Sequence, residues 1–201
     1  MQAALQSINV RLHEMLITNY GSFRGWVRSL LGQLAYALGW IDPYTHWGDV
    51  RVERLVFVCL GNINRSAFAA AVARKRAIPS CSLGLSTTTG APAFATAVVT
   101  ARQFDIDLTD HQATDISEYE FRKGDLLIAM EIRHVKRLQV LGIPPASIVL
   151  LGHWSSPHRI HLHDPHTLPD AYFQTCFTLI HSAVSHLVAQ LRATHGVAAT
   201  S

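Results

Sequence analysis

Residues 56–76 read VFVCLGNINRSAFAAAVARKR, and three kinds of local structure are predicted in direct succession. The apolar run ending at Cys59 predicts a buried strand, the segment with Gly61 and two asparagines predicts a tight loop, and the Ala-rich run predicts a helix. This succession is typical of folds in which helices connect parallel strands. Ligands of such folds bind beyond the carboxyl ends of the strands, which is where Cys59 lies.

Apolar runs alternate with helical patterns through the rest of the chain. Strands are predicted at 55–59, 81–85, 125–130 and 147–151, and helices at about 66–77, 92–104, 131–141 and 170–193. Uninterrupted Val, Ile and Leu runs suit strands that are covered on both faces. The pattern therefore predicts one α/β domain over residues 51–196, built on a small open parallel sheet, followed by a tail at 197–201.

Residues 1–50 form an N-terminal extension with two segments of helical periodicity. One face of the second segment carries large apolar residues: Trp26, Leu30, Leu34 and Leu38. We favour a helical pair packed on the main domain. Exposed Trp26, Trp40 and Trp47 would form an apolar patch, so a membrane-surface contact and a homodimer contact are the alternatives.

Composition restricts the function class. With 201 residues, of which 49% are hydrophobic, the chain can bury one sizeable core. The formal charge of +3 comes without a dense basic run, so no nucleic-acid partner is expected. Three scattered cysteines, Cys59, Cys81 and Cys176, favour a reducing compartment such as the cytoplasm. Neither a membrane-spanning run of about 18 apolar residues nor a signal-peptide pattern is recognised.

The loop after Cys59 has the chemistry of an anion site. Five residues precede Arg65, and their backbone N–H groups can point at one anion above the thiol: Leu60, Gly61, Asn62, Ile63 and Asn64. The start of the following helix favours a thiolate and an oxyanion, and Arg65 offers paired donors to two phosphoryl oxygens. Most single strand cysteines are merely buried. Here the strand, the spacing and the helix agree on a reactive thiol, to which Ser66 could donate a hydrogen bond.

The loop CLGNINRS resembles the signature loop of the low-molecular-weight protein tyrosine phosphatase family, whose pattern is Cys, x, Gly, Asn, x, x, Arg, Ser. The resemblance extends from about Arg54 to Leu191, through SLG at 82–84, DIDLTDHQAT at 105–114, LLIAME at 126–131 and HDPH at 163–166. It implies a four-stranded parallel sheet in the flavodoxin-like order 2-1-3-4, with helices on both faces.

The same resemblance implies hydrolysis of a phosphorylated protein or a small phosphomonoester, with no cofactor and no metal. By this likeness Cys59 is the nucleophile, Arg65 binds the phosphate, and Asp164 is the general acid and later the base. The supporting polar network implied by the family consists of Asn62, Ser66, Ser82 and His111.

The chain departs from the family pattern at several points. Asn64 stands where many members carry a second loop cysteine, and the stretches STTTGAP and HDPHTLP lack the aromatic residues that grip a phenyl ring, which predicts a more polar entrance. Five histidines crowd one segment: His153, His158, His161, His163 and His166. We favour a solvated loop over the alternative of a metal bound by His161 and His163. Protonation of these histidines at mildly acidic pH would surround Asp164 with positive charge.

Two other functions are compatible with the loop. Arsenate reductases share it, but they need two further cysteines within reach to relay a disulfide. A phosphate-binding regulatory module could keep the fold without efficient catalysis, although the presence of Cys59, Arg65, Ser66 and Asp164 argues for an enzyme.

Overall fold

The computed structural model describes residues 2–48 and 51–195, with side chains for 10–48 and 51–194. The predicted tail at 197–201 lies outside the described residues. The strands are β1 (Arg54–Cys59), β2 (Ser80–Gly84), β3 (Asp125–Ala129) and β4 (Ile148–Leu150). The helices are α1 (Gln2–Tyr20), α2 (Phe23–Ala37), α3 (Arg65–Lys75), α4 (Ala95–Arg102), α5 (Ile132–Val140) and α6 (Asp170–His195).

The four strands form one parallel sheet in the order β2-β1-β3-β4, which confirms the predicted topology. Cys59 is in register with Gly84 of β2, and Val58 with Ala129 of β3. The carboxyl ends of β1, β2 and β3 therefore meet at one edge of the sheet. The loops that follow these strands can contribute to a single site there.

The sheet is buried on both faces, as the continuous apolar runs predicted. Leu55 and Phe57 face a core built with α3, α4 and α6, in which the rings of Phe68 and Phe177 stack with centroids 4.1 Å apart. Val56 and Val58 face the opposite core, to which α5 and the N-terminal extension contribute. The fold thus has helices on both sides of the sheet.

The extension forms two helices that pack on the domain, and α2 packs through the face opposite to its large apolar residues. Its buried residues are small: Gly25, Ser29, Gly32 and Ala35. The large residues Trp26, Leu30, Leu34 and Leu38 are exposed. A Cβ atom at Gly25 would lie 2.7 Å from Cδ2 of His163, so the close approach of α2 requires small side chains.

The three tryptophans of this region do not share one environment. Trp47 is buried, with its ring centroid 6.0 Å from that of Trp154, so it was wrong to include it in a single apolar patch. Trp40 is 70% exposed. Among the described helices, none has the length and apolar character needed to cross a membrane.

Candidate active site

Cys59 ends β1 at the floor of the loop, where two groups contact its sulfur. The backbone N–H of Asn62 donates to Sγ at 3.3 Å, and Oγ of Ser66 lies 3.0 Å from Sγ. Nδ2 of Asn62 donates to the same Oγ at 2.9 Å. Because Ser66 Oγ accepts this bond, its single hydrogen can be donated to the sulfur at 3.0 Å or to the carbonyl oxygen of Leu83 at 3.5 Å. The shorter contact favours the sulfur, where the hydroxyl stabilises a thiolate.

Asn62 holds the curled shape of the loop. Its φ of 52° lies in the left-handed region, which Asn tolerates better than most residues. Its side-chain oxygen accepts from the N–H of Thr114 at 2.9 Å, and its carbonyl oxygen accepts from Nε2 of His111 at 2.6 Å. The predicted partners Asn62, Ser66 and His111 therefore lie together around Cys59.

Ser82, the fourth residue of the predicted network, is placed differently. It lies in β2 opposite Phe57, and no hydrogen bond of its hydroxyl is found among the described residues. On the side of the loop that faces β2, the contact is made by Thr87, whose Oγ1 donates to the carbonyl oxygen of Gly61 at 2.7 Å. We expected Thr87 in the polar entrance but did not predict this hydrogen bond, since only the position of its backbone after β2 brings it to the loop.

Arg65 begins α3 and is fully buried, with two carboxylates around its guanidinium. Nη1 donates to Oε1 of Glu131 at 2.6 Å and to the carbonyl oxygen of Leu162 at 2.8 Å. Nη2 lies 2.6 Å from Oδ2 of Asp164, but the alignment is that of an ion pair, without hydrogen-bond geometry. Nε and Nη2 thus remain without an aligned acceptor among the described residues, which leaves two donors for a bound anion.

Glu131 is a site residue that the sequence analysis missed. It lies two residues after the end of β3, at the edge of the sheet where Cys59 ends β1, and its side chain is almost completely buried beside Arg65. Burial opposes its ionisation, but Arg65 and, more weakly, His161 and His134 outweigh burial and hold its pKa well below the usual range. A carboxylate directly after a buried parallel strand was the signal that could have identified it.

Asp164 reaches the site from the loop before α6. Its side chain is 25% exposed, and its Oδ1 accepts from the backbone N–H of His166 at 3.3 Å. Pro165 is buried beside it. The carboxylate therefore lies next to the guanidinium that would bind a phosphoryl group, in the position from which a proton can be given to a leaving oxygen.

The N-terminal extension packs on residues 158–163, the segment that leads into Asp164. Gln33 donates through Nε2 to the carbonyl oxygen of His158 at 3.0 Å and accepts at Oε1 from the N–H of Ile160 at 3.3 Å. Oγ of Ser22 lies 3.3 Å from Nε2 of His163. The extension therefore helps to fix the loop that carries Asp164.

The histidine cluster is not the solvated loop that we expected. His161 is buried, and His153 and His163 are half-buried. Burial lowers the pKa of each of these three imidazoles, so they resist protonation at mildly acidic pH. The expected positive field around Asp164 is therefore wrong for these residues, and His166 is the exposed member nearest to the acid.

Comparison with known proteins assigns the chain to a family. The sequence model of the low molecular weight phosphotyrosine protein phosphatases matches residues 54–196. The chain belongs to this family. The extension, residues 1–50, lies outside the matched range.

Relatives of the chain are named as tyrosine phosphatases. The low molecular weight protein-tyrosine-phosphatase Wzb of Salmonella typhi is 32% identical over 150 residues, which cover 72% of this chain and 97% of Wzb. The crystal structure of the Erwinia amylovora tyrosine phosphatase AmsI has a TM-score of 0.65 at 24% identity and covers 71% of this chain and 95% of that one.

A second solved structure with the same fold is named for a different substrate. The arginine phosphatase YwlE of Geobacillus stearothermophilus has a TM-score of 0.63 at 21% identity and covers 71% of this chain and 97% of its own. At such low identity the likeness establishes the fold alone. The substrate of this phosphatase must be argued from its own entrance.

The entrance has an aromatic side that the sequence analysis did not predict. Phe94, which follows the polar stretch at 86–92, donates its N–H to the carbonyl oxygen of Ile63 in the loop at 3.0 Å. Its ring meets the imidazole of His166 at 71°, with centroids 4.9 Å apart. Phe94 and His166 thus form an aromatic pair between the phosphate loop and the loop of Asp164.

Glu131 should act as a positioning residue for Arg65. Replacing it in the variant Glu131→Gln removes the charge that holds Nη1, so Nε and Nη2 lose their fixed direction. We expect the KM for p-nitrophenyl phosphate to rise about tenfold and inhibition by vanadate to weaken by a similar factor. The exposed Glu120→Gln variant is the matched control. Unchanged KM and vanadate inhibition in a folded Glu131→Gln protein would refute this role.

Two buried histidines should make the phosphatase sensitive to acid. Burial, reinforced by Arg65, lowers the pKa of His134 to about 3, and burial lowers that of His161 to about 4. In the unfolded chain both imidazoles become protonated below about pH 6.5, whereas in the folded chain they stay neutral until about pH 4. The free energy of unfolding is therefore highest above pH 6.5 and decreases as the pH falls toward 4. We expect the free energy of unfolding to drop by about 2 to 4 kcal/mol from pH 7 to pH 5.

Urea unfolding at both pH values measures this loss. His161→Gln should show a smaller loss than the unmodified chain, while the exposed His166→Gln should show the same loss. An equal pH dependence in all three proteins would mean that His161 does not contribute.

Proposed function

We propose that the protein hydrolyses phosphomonoesters, with phosphotyrosine in proteins as its substrate class, through a phosphoryl group carried on Cys59. The observation that supports this most strongly is the convergence of three elements on one point. These are the sulfur of Cys59, the Nε and Nη2 donors of Arg65, which have no aligned hydrogen-bond acceptor among the described residues, and the first turn of α3, which its N-cap residue Asn64 does not cap with its side chain. Together they form a site for a tetrahedral anion directly above a thiol.

The first step is attack of the Cys59 thiolate on phosphorus. The sulfur–phosphorus bond forms as the bond from phosphorus to the leaving oxygen breaks, and Asp164 donates a proton to that oxygen. Arg65 and the loop N–H groups stabilise the charge on the three other phosphoryl oxygens. In the structure Asp164 contacts Arg65, and a bound phosphoryl group would replace the carboxylate at Nη2.

The second step is attack of water on the phosphoryl group of Cys59. Asp164, now a carboxylate, accepts a proton from the water as the sulfur–phosphorus bond breaks. The hydroxyl of Ser66, 3.0 Å from Sγ, stabilises the departing thiolate. Inorganic phosphate then leaves, and the protonated Asp164 is ready for the next cycle.

The aromatic pair of Phe94 and His166 favours an aryl phosphate as substrate. A phenyl ring attached to a phosphate in the loop would lie beside this pair, where ring contacts contribute about 0.5 to 1.5 kcal/mol beyond area burial. The names of the relatives, which are tyrosine phosphatases, support the same class. Because the free cysteines favour a reducing compartment, we place this activity in the cytoplasm.

The positions of the cysteines disfavour arsenate reduction. Cys81 is in register with Val56 and faces the opposite side of the sheet from Cys59, and its contact is the hydroxyl of Tyr119. Cys176 is buried in α6, and burial raises the pKa of its thiol to about 12. Neither thiol is suited to relay a disulfide from Cys59.

Steady-state kinetics with a panel of substrates tests the proposed function. We expect turnover of p-nitrophenyl phosphate, and a higher kcat/KM for a phosphotyrosine peptide than for the matched phosphoserine and phosphoarginine peptides. Phe94→Ala should reduce this preference by raising the KM for the aryl substrates. Absence of turnover of all four substrates would refute the phosphatase activity, and a preference for phosphoserine or phosphoarginine would refute the substrate class.

A further inference from the structure

The outward face of α2 carries large apolar side chains and no charge. With Trp40, which follows the helix, these residues are 37% to 70% exposed, and we call them the outer face: Phe23, Trp26, Leu30, Leu31, Leu34, Leu38 and Trp40. At 3.6 residues per turn, the members from Phe23 to Leu38 span roughly 140° of the circumference. Monomeric proteins in water rarely leave a contiguous apolar patch of this kind uncovered.

The outer face cannot turn inward, because the other side of α2 is fixed on the domain. Ser22 caps the helix by accepting from the N–H of Gly25 at 3.0 Å, and Gln33 bonds to the backbone of His158 and Ile160. Gly25 lies against His163, where an added Cβ atom would collide, and Gly32 packs on Ile160 and His161, where a Cβ atom would already be in van der Waals contact. Rotation of α2 about its axis would break these contacts and would place large side chains where the packing requires a glycine at Gly25.

The width and shape of the outer face favour a bilayer over a second copy of this chain. A partner helix covers a narrow seam of about two residues in seven, whereas the outer face is about 140° wide and convex. A fluid bilayer surrounds a convex ridge without needing a complementary surface. Trp26 and Trp40 combine a large apolar ring with one polar N–H, which suits the headgroup boundary.

Charges at the border of the outer face indicate the type of lipid. Arg24 and Arg28 lie along one edge of α2, both exposed, and neither forms an ion pair among the described residues. Basic residues beside a face of Trp, Phe and Leu are typical of helices that lie in the surface of anionic membranes. We propose that the outer face of α2 inserts into the headgroup region of an anionic bilayer and holds the catalytic domain at the membrane surface.

This arrangement places the active site beside the lipid surface. Arg24 and Arg28 line one cavity together with Asp164 and Arg133. The mouth of the site therefore lies next to the edge of α2 that would touch the headgroups. If the proposed phosphatase function is correct, its substrates are phosphorylated groups held close to a membrane.

Flotation of the full chain with vesicles tests the proposal. We expect binding to vesicles of phosphatidylglycerol and phosphatidylcholine, weaker binding to phosphatidylcholine alone, and a blue shift of tryptophan fluorescence on binding. Leu30→Glu/Leu34→Glu should weaken binding about 100-fold, because two leucines that the bilayer would bury are replaced by charges. Arg24→Ala/Arg28→Ala should reduce the preference for the anionic vesicles.

The matched control is Val99→Glu/Val140→Glu, which adds the same charges at exposed apolar positions on α4 and α5 and should bind like the unmodified chain. Failure to bind anionic vesicles, or equal loss of binding in both double variants, would overturn the proposal. So would a dimer in sedimentation velocity that only Leu30→Glu/Leu34→Glu dissociates, because the outer face would then belong to a second copy. Turnover of p-nitrophenyl phosphate without vesicles tests catalysis separately.

Discussion

Replacing Cys59 by serine should lower kcat for p-nitrophenyl phosphate by a factor on the order of 10⁴ or more. The serine hydroxyl occupies nearly the same position but is not ionised, so the attack on phosphorus is lost. The phosphate site of Arg65 and the loop N–H groups stays intact. Cys59→Ser should therefore still bind vanadate or phosphate while it fails to turn over substrate.

The matched control is the same thiol-to-hydroxyl substitution at Cys81. Cys81→Ser changes a thiol on the other face of the sheet, where its contact is Tyr119, and should leave kcat within about twofold of the unmodified value. Activity retained by Cys59→Ser, or lost equally in both variants, would exclude Cys59 as the nucleophile.

Replacing Asp164 by asparagine should lower kcat by about 10² to 10⁴, because the variant can neither donate the proton to the leaving oxygen nor take one from water. In the first step the effect should be larger for a phosphotyrosine peptide than for p-nitrophenyl phosphate, whose leaving group needs less help from an acid. The KM should not rise, since the carboxylate that contacts Arg65 is removed from the phosphate site. A merely structural role would not give this dependence on the leaving group.

Asp170→Asn is the matched control, since Asp170 is exposed at the start of α6. It should leave kcat, and its dependence on the leaving group, unchanged. If Asp164→Asn reduced turnover of both substrates by one common factor, Asp164 would not be the general acid.

Much of the catalytic domain could be predicted from local patterns. The run ending at Cys59, the spacing to Arg65 and the Ala-rich start of α3 lie within one short stretch, so their geometry follows from the chain itself. The sheet order is confirmed because continuous apolar strands joined by helices allow few topologies. Asp164 was placed by family resemblance, and the structure brings it to Arg65.

Contacts that depend on distant segments could not be predicted in the same way. Glu131 becomes part of the site only because β3 lies beside β1 in the sheet. Phe94 reaches the loop because its N–H bonds to Ile63, which no pattern in the sequence indicates. The polar entrance that we expected from STTTGAP is therefore partly aromatic.

The face through which α2 packs on the domain was not predicted from the sequence, and the reason is physical. Periodicity assigns the face with large apolar residues to the core, because burial of those residues usually stabilises a helix most. Here Gly25 and Gly32 allow the backbone to approach the segment before Asp164, and the large residues remain outside. Small residues on the face opposite to the large apolar residues distinguish a helix that packs through its small residues from one that packs through its large residues.

The central claim, a phosphoryl group carried on Cys59, is tested most directly by mass spectrometry of enzyme quenched in acid during turnover of p-nitrophenyl phosphate. The Asp164→Asn variant is the material of choice, because slow attack by water should let the intermediate accumulate. We predict a phosphoryl group on the peptide that contains Cys59, absent from Cys59→Ser. A phosphoryl group on another residue, or an unmodified Cys59 during continued turnover, would contradict the account.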